Sequence, residues 1–224
     1  MILAISGRIE IVTVKKLDDV SAAVVRSGII AILRAPTADS FASVAEVLVE
    51  SGVTALEVTL TSRGAVDAIA GLRRQLPASV AVGAGTVLTA DDVKAAVDAG
   101  AEFLISPVID TELVASSPVP FYPGTATPTE MYAAHQAGAP LVKLFPAASL
   151  GTGFLRSVRG PLPQVNVMPT GGIALDDISD WLAAGAKAVG LGAPLIGDAA
   201  SGGSLAALGA RARHAVAAVQ FARS

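Results

Sequence analysis

The sequence predicts an α/β fold, a single-domain (β/α)8 TIM barrel preceded by one extra helix. Three observations carry that prediction. Short aliphatic runs alternate with Ala-rich amphipathic stretches along the whole chain, the pattern of parallel strands joined by crossover helices. Eight such runs occur, starting at Ile29, Ala55, Val80, Phe103, Val119, Leu141, Val165 and Ala188, between 16 and 26 residues apart, which is room for one strand and one short helix. The chain has 224 residues, close to the size of one barrel, and no dinucleotide-type glycine fingerprint follows the first run, which disfavours an open doubly wound sheet.

Residues 1–14 fit no element and are read as an N-terminal extension, with 15–224 as the barrel domain; a start codon placed too far upstream would account for the extension. The extra helix is expected at Leu17–Ser27 and the first strand at Ile29–Arg34. Thr37 or Asp39 is expected to open the next helix, which ends near Ser51-Gly52. The second and third strands are expected at Ala55–Leu60 and Val80–Ala84, and Thr89-Ala90-Asp91-Asp92 opens the helix that ends at Ala99-Gly100. The fourth strand, Phe103–Pro107, and the fifth, Val119–Pro123, start only 16 residues apart, which leaves a turn or two of helix between them. Thr127-Pro128-Thr129-Glu130 opens a helix that stops before Gly138. Strands follow at Leu141–Phe145, Val165–Thr170 and Ala188–Gly192, and a last helix at Ser204–Arg223. Ala-Gly-Ala recurs at Ala99–Ala101, Ala137–Ala139 and Ala184–Ala186, each time a helix stop feeding a strand.

Composition narrows the function. With 52% hydrophobic residues the chain is not disordered. Sixteen Lys and Arg against 19 Asp and Glu, 4% aromatics and no basic run longer than two residues exclude a nucleic-acid footprint. The absence of Cys removes disulfides, thiolate metal sites and cysteine nucleophiles. Mean hydropathy is high at +0.62, yet Gly, Pro or a charge interrupts every apolar run. No run of about 18 apolar residues is left to span a membrane. The N-terminus lacks a basic region before its apolar run and carries Arg8 and Glu10 just after it, so a cytoplasmic location is expected.

In a barrel, chemistry sits at the C-terminal ends of the strands. Lys143 is the one lysine of five inside an apolar strand, Leu141–Phe145. Burying an unpaired ammonium there costs several kcal/mol unless its pKa falls, and a neutral amine is the nucleophile of Schiff-base chemistry. The alternative is a lysine paired across the interior. Glu57 lies opposite the aliphatic face of Leu56, Val58 and Leu60, so period-2 alternation points it inward with Thr59. There it is a general acid/base or the counter-ion of Lys143. Thr170-Gly171-Gly172 and Gly190-Leu191-Gly192-Ala193 leave the seventh and eighth strands, where backbone N–H groups collect a phosphate. Ordinary turn chemistry is the other reading. Arg34, on the face of Ile30 and Ile32, suits a carboxylate or the barrel rim, and Gly83-Ala84-Gly85-Thr86 leaves room for a small acid. His135 and His214 stand 79 residues apart without clustered carboxylates, so no metal is expected.

The stretches Ile32-Leu33-Arg34-Ala35, Leu56–Leu60, Gly83–Val87, Ile105-Ser106-Pro107, Pro123-Gly124, Lys143–Pro146 and Pro169–Ile173 occur in order over most of the chain. In this the sequence resembles the 2-keto-3-deoxy-6-phosphogluconate (KDPG) and 4-hydroxy-2-oxoglutarate (KHG) aldolases. The resemblance implies a class I carbon–carbon lyase that needs no cofactor or metal, with Lys143 as the Schiff-base lysine and Glu57 moving protons. It also implies carboxylate and keto contacts near Arg34, Thr86, Pro107 and Phe145, phosphate at Gly171, Gly172, Gly192 and Ala193, and a homotrimer acting on a phosphorylated 2-keto acid with release of pyruvate. Thr170 joins the substrate contacts. Two departures bear on the substrate: Thr61 stands where many members carry Arg, and Ala193 where many carry Ser. The galactonate epimer and 4-hydroxy-2-oxoglutarate are therefore rival substrates. A phosphosugar isomerase or transferase would have no use for Lys143, and a non-catalytic binder of phosphorylated acids would be better served by fixed Arg charges.

Overall fold

The computed structural model describes residues 19–224. The extension at 1–14 and the expected helix start at Leu17 lie outside the described residues, of which 19–27 are helical. The strands that follow are β1 Ile29–Leu33, β2 Ala55–Thr59, β3 Ala81–Gly85, β4 Leu104–Ile105, β5 Phe121–Tyr122, β6 Gly124–Thr125, β7 Val142–Leu144, β8 Val167–Pro169 and β9 Val189–Leu191. Between them run helices α1 Phe41–Glu50, α2 Ala65–Gln75, α3 Ala90–Asp98, α4 Thr111–Ser116, α5 Pro128–Gln136, α6 Ala147–Arg159 and α7 Ile178–Ala183; α8 Ala193–Ile196 and α9 Leu205–Arg223 close the chain. All named strand pairs are parallel, in one sheet of order β5-β4-β3-β2-β1-β9 and another of order β6-β7-β8. The two sheets touch through the parallel bridge Thr170↔Gly190. At their other border β5 and β6 follow each other in the chain with Pro123 between them.

Each strand divides its side chains between two apolar clusters, as period-2 geometry requires of a sheet covered on both faces. Ile29, Ala31, Leu33, Leu56, Val58, Val82, Ala84, Val142, Leu144, Val189 and Leu191 pack with helix residues such as Val44, Ile69, Trp181 and Leu208. The alternate positions Ile30, Ala55, Ala81, Phe103, Ile105, Tyr122, Leu141, Met168 and Ala188 gather in a second, interior cluster, joined by Val24 from the helical segment 19–27. The next inward position along several strands is where the polar groups appear: Glu57 after Ala55, Lys143 after Leu141, Thr170 after Met168. The interior cluster is thus the floor on which those groups stand.

Local signals set most boundaries. Thr89 and Thr127 each form a capping box, with Asp92 and Glu130 respectively, satisfying end-of-helix donors in both directions. Gly100, Gly138 and Gly185 follow helix ends with φ of 93°, 95° and 102°, the left-handed conformation that ends a helix without a Cβ clash. The short crossover after β4 is the six-residue α4, capped by Asp110. Three expectations need correction. The N-cap of α1 is Ser40, without a side-chain cap; Thr37 and Asp39 lie before it, the Thr37 hydroxyl donating to the Asp39 carboxylate at 2.7 Å. The run Val119–Pro123 is not one strand: Pro123 has no N–H for a ladder, and pairing resumes at Gly124. Arg34 lies just past β1 instead of within it. Among the described residues no helix is long and apolar enough to cross a membrane.

Candidate active site

At the C-terminal ends of the strands lies a cavity of about 640 Å³. Its lining includes every residue given a chemical, substrate or phosphate role above: Arg34, Glu57, Thr86, Pro107, Lys143, Phe145, Thr170, Gly171, Gly172, Gly192 and Ala193. Ile32, Ile173, Gly190, Pro194, Ile196 and Gly197 complete it. A larger groove, about 870 Å³, opens elsewhere beside the helical segment 19–27 and α9, with Arg26, Glu102 and Arg223 among its walls. The buried polar atoms without partners lie in the smaller cavity. Among the described residues these are both carboxylate oxygens of Glu57 and the hydroxyl of Thr170. Leaving a buried polar group unsatisfied costs about 1–3 kcal/mol. All three of these atoms belong to residues that line this one cavity, where a polar molecule would meet acceptors and a hydroxyl that the protein leaves unused.

Lys143 is 5% exposed and Glu57 1%, and no direct hydrogen bond joins them. The Lys143 Nζ stands 5.1 Å from the centre of the Phe145 ring. Burial pulls the Lys143 ammonium below the ordinary lysine range, Glu57 opposing and Arg34 adding to the fall. Burial likewise pushes the Glu57 carboxyl above the usual carboxylate range, against the pull of Lys143 and Arg34. Both directions favour the uncharged pair, an amine free to attack and a carboxyl able to give a proton.

Small residues make the space. A Cβ on Gly85 would stand 1.8 Å from Glu57 Oε1, and one on Gly190 2.3 Å from Thr170 Oγ1, so each glycine gives its volume to the polar side chain of a neighbouring strand. A Gly85→Ala variant is therefore expected to fold, since a flexible side-chain end can swing away, and to lose activity about 10²-fold or more, the cost of displacing an acid/base group. Activity together with a thermal melt checks this; full activity would mean that the carboxylate position is unimportant.

At the mouth Arg34 donates through Nη2 to Thr86 Oγ1 at 3.2 Å. Thr86 has φ of 60°, the one non-glycine residue in the left-handed region among those described. Such backbone strain of order 1–3 kcal/mol persists where the surroundings fix it. Elsewhere along the cavity lining the N–H groups of Gly171, Gly172, Gly192 and Ala193 donate to no backbone carbonyl. Gly171 and Gly172 have φ of 97° and 75°. Consecutive free donors of this kind suit an anion. Thr59 shares the inward parity of Glu57 but does not line the cavity, its hydroxyl being turned to Leu33 O at 3.2 Å. Thr61 is exposed, and His214 meets Asp176 at 3.0 Å away from the cavity.

The sequence profile of the KDPG and KHG aldolases matches residues 20–206. The chain belongs to this aldolase family. Among its relatives is a 2-dehydro-3-deoxy-phosphogluconate aldolase of Haemophilus influenzae, 36% identical over 159 residues, covering 69% of this chain and 74% of the relative. A probable 2-dehydro-3-deoxy-6-phosphogalactonate aldolase of Rhizobium meliloti is 34% identical over 181 residues, covering 79% of this chain and 85% of the relative. A KDPG aldolase from Legionella pneumophila, solved with pyruvate captured as a covalent carbinolamine, superposes with a TM-score of 0.80 at 30% identity over 87% of this chain and 96% of that one. The family's aldolases are carbon–carbon lyases, and the curled parallel sheet with alternating helices is the architecture shared with these neighbours.

Proposed function

We propose that this family member is a class I aldolase that cleaves 2-keto-3-deoxy-6-phosphogluconate to pyruvate and glyceraldehyde 3-phosphate, with Lys143 as nucleophile and Glu57 as acid/base. The observation that carries this is the buried, unpaired Lys143 and Glu57 facing one cavity with both carboxylate oxygens unpartnered. The neutral Lys143 amine attacks the C2 ketone, and Glu57 gives the proton that lets the carbinolamine lose water as the iminium forms. Glu57, now ionised, takes the C4 hydroxyl proton while the C3–C4 electron pair moves into the iminium. The aldehyde leaves, the enamine is protonated at C3, and water releases pyruvate from Lys143. Arg34 and Thr86 hold the C1 carboxylate, Pro107 and Phe145 wall the keto carbon, and Thr170 offers its unpartnered hydroxyl to a substrate hydroxyl. Trapping with pyruvate and borohydride, read as a reduced adduct on Lys143 by mass spectrometry, tests the chemistry.

The free N–H groups of Gly171, Gly172, Gly192 and Ala193 hold the phosphate. Phosphorylated KDPG is then expected to exceed its dephosphorylated analogue in kcat/KM by about 100-fold or more, the worth of several charge-assisted hydrogen bonds. Equal efficiency would overturn the phosphate assignment and move 4-hydroxy-2-oxoglutarate to first place. A specific observation keeps that second reading and the galactonate epimer in view: Arg34 and Lys143 are the cations of the cavity, and Ala193 brings no hydroxyl to its lining. With β5 and β6 counted as one strand interrupted at Pro123, the two sheets make the eight strands of a (β/α)8 barrel, residues 15–224 forming one domain and 1–14 an extension. A cytoplasmic homotrimer, as the resemblance implies, completes the reading; sedimentation equilibrium tests the trimer.

A further inference from the structure

We propose that Thr59, Thr61 and Ser62 form a hydroxyl cradle that aims Arg34 into the active-site cavity, making Thr59 and Ser62 positioning residues for recognition of the substrate carboxylate. The proposal rests on the reading of Arg34 as the carboxylate contact. β1 ends at Leu33, so the named strand stops just where Arg34 must be held. Two side-chain contacts take over. The Thr59 hydroxyl donates to the carbonyl of Leu33 at 3.2 Å, and the N–H of Ala35 donates to Ser62 Oγ at 3.2 Å. These two groups belong to the peptide planes on either side of the Arg34 Cα. Because each peptide is planar, pinning both planes fixes the φ and ψ of Arg34 and hence the direction in which its side chain leaves the backbone.

The proton count of the cluster is consistent. Thr59 has one hydroxyl hydrogen, committed to Leu33 O, so its Oγ1 accepts from Thr61 at 3.3 Å and from Ser62 at 3.4 Å. Thr59 is 0% exposed and Ser62 2%, so water does not compete for these bonds. The backbone binds the same two loops, through Arg63 N–H to Pro36 O at 3.2 Å and Ala38 N–H to Arg63 O at 3.0 Å. Neither Thr59 nor Ser62 lines the cavity, so neither meets substrate; they act through Arg34. Arg34 is itself exposed and rotamer-rich, and its contact beyond its own backbone is Thr86 Oγ1 at 3.2 Å. An aimed backbone therefore decides how often the guanidinium meets the carboxylate.

The experiment compares pyruvate with methyl pyruvate, which keeps the ketone and lacks the charge, as probes of imine trapping by borohydride. Arg34→Gln should raise the half-saturating concentration of pyruvate about tenfold or more beyond whatever change it makes for methyl pyruvate, since the loss of its charge acts on Lys143 toward both ketones but on the carboxylate contact toward pyruvate alone. Thr59→Val and Ser62→Ala should each raise it about three- to tenfold for pyruvate alone, with the limiting trapping rate retained, while Thr59→Ser restores wild-type behaviour. In an Arg34→Gln background Thr59→Val should add less than about twofold, because residues acting through one contact are not additive. An equal effect of Thr59→Val on both ketones, or the same fold-change with and without Arg34, overturns the cradle. An unchanged pyruvate preference in Arg34→Gln overturns the carboxylate reading of Arg34 instead, and the cradle with it. If Thr59→Val does not fold, Ser62→Ala alone and in the Arg34→Gln background decides by the same criteria.

Discussion

Lys143→Arg is expected to abolish both turnover and borohydride trapping. Arg keeps a positive charge but cannot deprotonate at any pH the protein survives, so it forms no imine. Lys143→Met, close in volume and uncharged, gives the same loss of chemistry without introducing a permanent buried charge. Its melting temperature should equal or exceed that of the parent, since it removes an amine whose charged form the fold disfavours. The sign with pH follows from the lowered pKa. A lysine that holds its proton less tightly when folded costs stability below its folded pKa, and that cost disappears as pH rises to the ordinary lysine value of about 10.4. The stability gained by Lys143→Met should therefore shrink toward alkaline pH. Measurable trapping in either variant would remove Lys143 from the mechanism.

Glu57→Gln should lower turnover by about 10²- to 10⁴-fold, the usual loss for an acid/base group. It should also move the pH profile. The Glu57 carboxylate is the one charge that raises the Lys143 pKa against burial and Arg34. Glutamine removes that support, so the amine becomes neutral at lower pH and the acidic limb of imine trapping shifts toward acid. Turnover and limb both unchanged would leave Glu57 a structural residue. A shifted limb with turnover retained would make it an electrostatic partner of Lys143 and no more.

The alternation of strands with helices and the inward placing of Lys143 and Glu57 were legible in the sequence for a simple reason. A charged residue inside an aliphatic strand, such as Lys143, and a period-2 break such as Glu57 stand out against the alternation they interrupt. The helix ends at Thr89, Thr127 and the Ala-Gly-Ala stretches were legible because one residue and its immediate neighbours determine them. The gap at Pro123 could be read only with its pairing partner, and the start of α1 at Ser40 carries no side-chain cap for a sequence pattern to report. The cradle around Arg34 was hidden for another reason. It depends on contacts between loops some 20 residues or more apart in sequence, which no local pattern reports.

The split of the strands into two sheets distributes the reagents. Glu57 and Arg34 are carried by the six-stranded sheet, with Arg34 just beyond its first strand, whereas Lys143 belongs to the three-stranded one and Thr170 directly follows it. Neither sheet owns both halves of the proton-and-nucleophile pair. The working distance between them is therefore a property of the joints, at the Thr170↔Gly190 bridge and at Pro123. A substitution that altered either joint would shift Glu57 relative to Lys143 without touching the immediate surroundings of either side chain.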